Sequence, residues 1–373
     1  MRSLQGLSKD KRRKREAVTT QQIIDENKLN EFVGKFAGDL GAVAHAATVL
    51  IGDELGLYKA MADGAPITAE ELAERTGTDE RYMREWLSAQ AASGYVEYEP
   101  DTGSFRLPAE QAFALTDEYN PLFVPGGIQL AASMIKDVGI VAEAIRAGRG
   151  LGWHDHHHDL FEGVERFFRP NYIGSLLGSW VPALDGVEGK LRTGAKVADI
   201  GCGHGSSTIL IAKEYPNSTF IGFDYHEGSV EAAREAALEA GVSGHCTFEV
   251  ASAKEYPGED YDFVAVFDAL HDMGDPVGAA AHVKRSLKPD GTWMIVEPYA
   301  GDRLEENLNP VGRIFYSAST TLCVPNSKDQ EVGLALGAQA GEARIGAVVT
   351  AGGFGTFRRV AETPFNLIFE ARP

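Results

Sequence analysis

The sequence predicts an α/β protein: a Rossmann-like, doubly wound parallel sheet with an antiparallel terminal hairpin, preceded by a mostly helical winged-helix domain. Three observations predict it. From residue 195 onward, short apolar runs alternate with helical stretches. The first of those runs leads straight into a glycine-rich turn, "KVADIGCGHGSSTIL" at 196–210. Upstream, residues 66–107 read as helix, turn, helix, hairpin. A length of 373 residues exceeds one ordinary core, so two domains joined by helices are expected.

Residues 1–20, with the run "KDKRRKRE" at 9–16, read as a disordered basic tail, because like charges repel and nothing apolar accompanies them. Residues 21–115 form the winged-helix unit. Apolar residues at helical spacing fill 21–60, interrupted by small residues that permit close helix approach. Thr68 with Glu71 three places on is a capping box, and Gly77 ends that helix. Thr78 is the expected cap of the next helix and Gly94 its stop; "YVEYEPDTGSFRL" then makes a two-stranded wing turning at Pro100–Gly103. Residues 116–190 are a helical linker that covers a pocket, and 191–373 hold the sheet. Its strands are "KVADIG", "TFIGFD", "CTFEVA", "FVAVFDA" and "TWMIVEP", followed by a hairpin, "GFGTFRRV" and "FNLIFEARP", joined at Thr363–Pro364.

Charge narrows the partners. The chain carries 35 basic and 54 acidic residues, a net −19, which repels nucleic acid and anionic membranes. Between Pro66 and Leu107 nine acidic residues face four basic ones, so a recognition helix and wing would meet phosphate with like charge. A dimerisation or packing role is expected there, hence a homodimer. No apolar stretch suits a membrane span and no leader pattern opens the chain, which points to the cytoplasm. Three scattered cysteines, Cys202, Cys246 and Cys323, fit a reducing compartment.

The glycine turn describes a ligand. Gly201, Gly203 and Gly205 follow the first strand, where a bare backbone and a helix N-terminus admit close approach. Their spacing departs from the dinucleotide pattern G-x-G-x-x-G, and Asp199 would be poor company for a pyrophosphate. It suits a ligand with an ammonium group. Asp224 ends the second strand, where a carboxylate accepts hydrogen bonds from ribose hydroxyls. Tyr225 can pack on a purine face, the small residues Ser252 and Ala253 leave room for adenine, and Asp268 ends the fourth strand. An aminated nucleoside on a glycine turn describes S-adenosylmethionine.

On these residues the segment 195–297 resembles the class I S-adenosylmethionine-dependent methyltransferases. "VADIGCGHG" is similar to that family's first motif, "GFD" to its second-strand end, and "SLKPDGTWMIVEP" to its fifth-strand motif. The resemblance implies that the three glycines line the methionyl and ribose portions of the cofactor, that Asp224 holds the ribose diol, and that Asp268 faces the methionine end. Ser252 stands where many relatives carry an acidic residue for the adenine amine.

With its winged helix, the chain also resembles plant-type and bacterial small-molecule O-methyltransferases, which are homodimers through that domain. The resemblance implies His271, in "FDALHDMGDP", as general base toward a hydroxyl, oriented by Glu297; Met273 replaces a tryptophan frequent in those enzymes. N-, S- or C-methylation by proximity is the nearest alternative, and an S-adenosylmethionine-sensing transcriptional regulator is another. A nicotinamide oxidoreductase is opposed by Asp199 and the glycine spacing.

No metal site is expected. The run "HDHHHD" at 154–159 places histidines side by side, where neighbours point apart; one or two of them lining the acceptor pocket is an open alternative. Cys202 reads as a small filler. Arg169 and Tyr172 can approach the cofactor carboxylate, although helical packing accounts for both. Phe123, Phe315 and Tyr316 suggest an apolar acceptor pocket.

Overall fold

The computed structural model describes residues 24–373; the basic tail expected at 1–20 lies outside the described residues. A 29-residue helix, Glu26–Glu54, carries the chain from a first compact unit ending at Ala44 into a second running from His45 to Pro373. Within the first unit, Leu29, Phe32, Val33, Phe36, Leu40 and Val43 are all exposed. They recur at helical spacing and so form one apolar stripe.

The second unit opens with the winged helix. Thr68 Oγ1 accepts from the Glu71 N–H at 3.2 Å, and Glu71 Oε2 accepts from the Thr68 N–H at 2.8 Å, so helix Ala69–Thr76 begins in the expected capping box. Gly77, at φ 66°, closes it. Helix Glu80–Ala92 corrects the expected cap: Asp79, not Thr78, accepts from the N–H groups of Arg81 (2.9 Å) and Tyr82 (3.2 Å). A carboxylate at a helix N-terminus gains charge-assisted bonds that a threonine hydroxyl cannot match, and Thr78 pairs with the Thr76 hydroxyl instead. Strands β1 (Glu97–Glu99) and β2 (Ser104–Arg106) form the antiparallel wing, which Ile67 extends by a bridge to Phe105. Leu57, Tyr58, Leu72, Met83, Trp86, Leu87 and Leu107 bury the core beneath it.

Seven strands make the main sheet: β3 (Lys196–Ile200), β4 (Thr219–Asp224), β5 (Cys246–Val250), β6 (Tyr261–Phe267), β7 (Leu287–Pro298), β8 (Thr356–Glu362) and β9 (Asn366–Arg372). Their order is β5-β4-β3-β6-β7-β9-β8, and β9 alone runs against the rest, antiparallel to both β7 and β8, as the terminal hairpin predicts. Both faces are covered. Along β6, Phe263, Ala265 and Phe267 enter one core while Val264 and Val266 enter the other, the period of two that a strand imposes. The chain turns from one side of the sheet to the other at β3, between β4 and β6. A crevice therefore opens beyond the carboxyl ends of β3 and β6, where such sheets bind ligands.

Helix Asp159–Ser175 lies across this region, tied down by Arg166. Its guanidinium donates to Asp53 (2.7 Å), Glu118 (3.0 Å) and Gln129 (2.6 Å), so one buried cation joins the winged helix to the linker helices. Among the described residues no helix is long and apolar enough to cross a membrane.

Candidate functional site: a bare turn ringed by carboxylates

The glycine turn closes on itself before meeting any ligand. The N–H groups of Gly201 and Cys202 both donate to the Phe223 carbonyl, at 2.7 and 3.1 Å, and the Gly205 N–H donates to the Cys202 carbonyl at 2.9 Å. All three glycines have positive φ, 73°, 52° and 78°. Their surroundings differ. A Cβ at Gly205 would lie 2.6 Å from Phe248 Cζ, and one at Gly201 would lie 2.9 Å from Ala269 Cβ, so packing demands those two. A Cβ at Gly203 would meet nothing within 4 Å. Gly203 is thus the glycine whose open side is free for a guest. Cys202 packs as filler: its Sγ would be 2.9 Å from a Cβ placed on Gly222.

Carboxylates surround the turn. Asp199 is buried on β3; its Oδ2 accepts from Ser207 (2.9 Å) and Thr208 (2.6 Å), while its Oδ1 is buried without a partner. Burial pushes its pKa up from 3.8 to about 6, against the pull of those two hydroxyls. Asp224 accepts from the Gly203 N–H (3.0 Å) and the His226 N–H (2.9 Å), bracing the turn from β4, and burial raises its pKa as well. From the covering helix, Glu165 accepts from Ser206 Oγ at 2.5 Å and pairs with Arg169 at 3.3 Å.

Asp268 stands just beyond the end of β6 with protein partners of its own. Its backbone is left-handed, φ 50°, and its carboxylate is occupied by protein: Asn366 Nδ2 donates to Oδ1 at 2.6 Å and the Tyr172 hydroxyl donates to Oδ2 at 3.2 Å. Burial and the nearby Glu297 push its pKa well up. It therefore anchors helix Asp159–Ser175 and β9 to the crevice, and Tyr172 is a structural partner of that anchor. Tyr225, exposed along one side, donates to Asn326 Oδ1 at 3.2 Å, and Asn326 also accepts from the Trp153 N–H at 3.2 Å. Ser252 and Ala253 lie partly buried in the loop after β5, and the Ser252 carbonyl accepts from Glu255 and Tyr256.

The histidine and glutamate that the sequence paired are in contact. His271 sits in a short turn, Leu270–Asp272, directly after β6, and Glu297 lies near the end of β7. Glu297 Oε2 is 2.8 Å from His271 Nδ1, and Glu297 Oε1 accepts from the Leu270 N–H at 3.0 Å. His271 Nε2 lies 3.2 Å from Asp272 Oδ1, with the Cys323 thiol against both. Burial disfavours the imidazolium, but Asp272 and Glu297 outweigh it and hold the His271 pKa well above the usual range.

Other expected contacts fall elsewhere. Phe123 is buried under the Arg166 guanidinium, and Phe315 packs with Leu130, Leu160 and Leu322; both belong to the core, not to a pocket wall. The histidine run splits. His156 is buried with Nδ1 2.9 Å from Asp137 Oδ2, whereas His158 is exposed and meets Asp159 at 2.8 Å. Sequence reasoning missed Glu165, Asn326, Asn366 and Cys323, because only the sheet topology brings such distant residues to the crevice.

Residues 191–333 match the family model of a methyltransferase domain, and residues 43–117 match an Rv2258c-like winged HTH domain. A 27-O-demethylrifamycin SV methyltransferase from Amycolatopsis mediterranei is 36% identical over 132 residues, 33% of this chain and 48% of that protein. Cycloartenol-C-24-methyltransferase 1 from Oryza sativa is 34% identical over 119 residues, 31% of this chain and 34% of that one. The chain thus spans a third to a half of the length of these curated relatives. Among solved structures, a mitomycin 7-O-methyltransferase superposes with a TM-score of 0.67 at 19% identity, covering 94% of this chain and 100% of its own. Human N-acetylserotonin methyltransferase, solved in complex with SAM, gives 0.63 at 16% identity over 94% of this chain and 99% of its own. At such identities the likeness shows the fold.

Proposed function

We propose that this chain, which joins an Rv2258c-like winged-helix domain to a methyltransferase domain, is an S-adenosylmethionine-dependent methyltransferase acting on a hydroxyl of a small molecule. One observation carries the reading. The open side of Gly203 lies in a turn ringed by Asp199 and Asp224, both held toward their neutral forms by burial, and Asp199 Oδ1 lacks any partner. A buried carboxylate oxygen without a partner is costly until a donor or a cation reaches it. The residues present therefore fit a ligand that carries both an ammonium and a sulfonium.

When bound, S-adenosylmethionine supplies a methyl group already activated by its positive sulfur. Asp199 is suited to the ammonium end, and Asp224, with lone pairs to spare, to the ribose hydroxyls. Ser252 and Ala253 leave space for adenine, with Tyr225 beside it. Asp268 acts through Tyr172 and Asn366 as a positioning residue. His271 accepts the proton of the acceptor hydroxyl at Nε2 as the new oxygen–carbon bond forms. Glu297 fixes the ring through Nδ1 and stabilises the imidazolium that results. In this reading residues 21–115 dimerise, 116–190 cover the acceptor pocket and 191–373 bind the donor. The exposed stripe from Leu29 to Val43 supports a homodimer, the acidic balance of the winged helix opposes DNA, and three free, buried cysteines suit a cytoplasmic protein.

Replacing His271 with alanine tests the base. Turnover should fall roughly 100-fold or more with donor affinity nearly unchanged. Unchanged turnover would remove His271 from the mechanism and favour methylation by proximity alone.

A further inference from the structure

We propose that His271, Asp272 and Cys323 form a binding site for a zinc-class divalent cation, built over the nitrogen assigned as the base. One ligand atom from each residue lies within 4.8 Å of the other two. The three come from different places in the chain, the turn after β6 and the helical insertion at 310–329, and meet in the interior. His271 and Cys323 are buried and Asp272 is nearly so, its side chain 17% exposed. Exposed acidic clusters gather by chance on any protein surface, whereas a buried imidazole, carboxylate and thiol do not.

Three features point to a metal ion. First, the donor set is mixed nitrogen, oxygen and sulfur, which suits zinc or cobalt and disfavours magnesium and calcium. Neutral imidazole, carboxylate and thiolate together offer two negative charges to a dication, with the thiol proton and the imidazolium proton both released on binding. Second, the histidine is prepared as metal-bound histidines are. Glu297 holds Nδ1 at 2.8 Å and so aims Nε2 at Asp272 Oδ1, 3.2 Å away, where a cation would take the place of the Nε2 proton. Ligand atoms around a tetrahedral zinc stand about 3.3–3.6 Å apart, so this pair needs almost no movement. Third, Asp272 Oδ1 is buried and meets the His271 ring at 3.2 Å without an aligned hydrogen bond, and a cation between the two would satisfy both. Cys323 closes a π-helical turn, Ser319–Cys323, inside an otherwise α-helical segment; such turns re-aim side chains at sites of this kind.

Three protein ligands leave a fourth position open for water or another donor. A cation seated there would occupy Nε2 and stop it from taking a proton. Methyl transfer and metal binding would then exclude each other, a consequence that rests on the base assignment; binding itself does not.

The test is titration of the metal-free, full-length protein with cobalt(II), followed by zinc competition against a chromophoric chelator. Expected are one equivalent of cobalt, a thiolate-to-cobalt charge-transfer band in the near ultraviolet and tetrahedral bands in the visible. Cys323→Ser and Cys323→Ala should abolish the charge-transfer band and weaken zinc at least tenfold, with thermal melts confirming that one or both variants fold. Glu297→Gln should weaken zinc about 10–100-fold, as loss of a partner behind a metal-bound histidine does. His158→Ala is the control, because His157, His158 and Asp159 form a second, surface cluster. A wild-type protein without the thiolate band, an unchanged band in both cysteine variants, or binding lost in His158→Ala would overturn the proposal. Binding as expected without inhibition of methyl transfer would leave the cation site standing and overturn the base assignment instead.

Discussion

Acidification is expected to loosen the donor by protonating Asp199. In the free protein burial raises this carboxyl from 3.8 to about 6. A bound ammonium favours the ionised form and draws the pKa back toward its ordinary value, so binding expels a proton whenever the pH lies between the two. A gap of about two units corresponds to about 2.7 kcal/mol, which makes the donor bind about tenfold more weakly at pH 5 than at pH 7. Burial shifts Asp224 in the same direction and adds to the slope. Ligand-free stability has the opposite sign: a raised carboxyl pKa contributes stability that is present below about 3.8 and lost as the pH rises through about 6. The assay is isothermal titration calorimetry with S-adenosylmethionine across pH 5–7 in buffers of different ionisation heat, repeated with Asp199→Asn. The variant should bind more weakly at neutral pH and lose part of the pH slope. A wild-type affinity that is flat across this range, or an Asp199→Asn protein that keeps the full slope, would refute the role given to this carboxylate.

Four further outcomes follow. Gly205→Ala drives a Cβ to 2.6 Å from Phe248 at a positive φ, so chemical denaturation should register a loss of about 2–5 kcal/mol. Gly203→Ala meets no protein atom and should cost only about 1–2 kcal/mol of stability, yet donor affinity should fall more than stability does. Glu297→Gln removes one carboxylate that holds His271 in its protonated form, so the pH–rate profile, which climbs as the base is freed, should begin its climb at lower pH and reach a lower plateau. Phe32→Glu combined with Phe36→Glu charges the exposed stripe of the first helix; light scattering should then report monomers, and a persistent dimer would place the interface elsewhere.

What could be read from the chain divides by distance along it. The capping box of Thr68 and Glu71, the glycine turn and the alternating strands are local patterns, and each fold element they imply is present. The contact between His271 and Glu297 was also within reach, since two parallel neighbouring strands bring their ends together. Errors arose where two local chemistries competed. Asp79 displaced Thr78 as a cap because a carboxylate is the better acceptor, and Phe123 and Phe315 went to the core because apolar rings bury wherever helices meet. The partners of Asp268, Tyr172 and Asn366, lie about a hundred residues away on either side, and nothing in the spacing marks them. The three glycines looked alike in sequence, and only the position of Phe248 on β5 separates the packing glycine from the open one.

The most direct measurement is equilibrium binding of S-adenosylmethionine and of its demethylated product to the purified, folded protein. One equivalent of each per chain, at micromolar concentration and weakened by Asp199→Asn, is the predicted result. Folded protein that takes up neither compound at millimolar concentration would contradict the assignment of the turn at Gly201–Gly205 as a donor site.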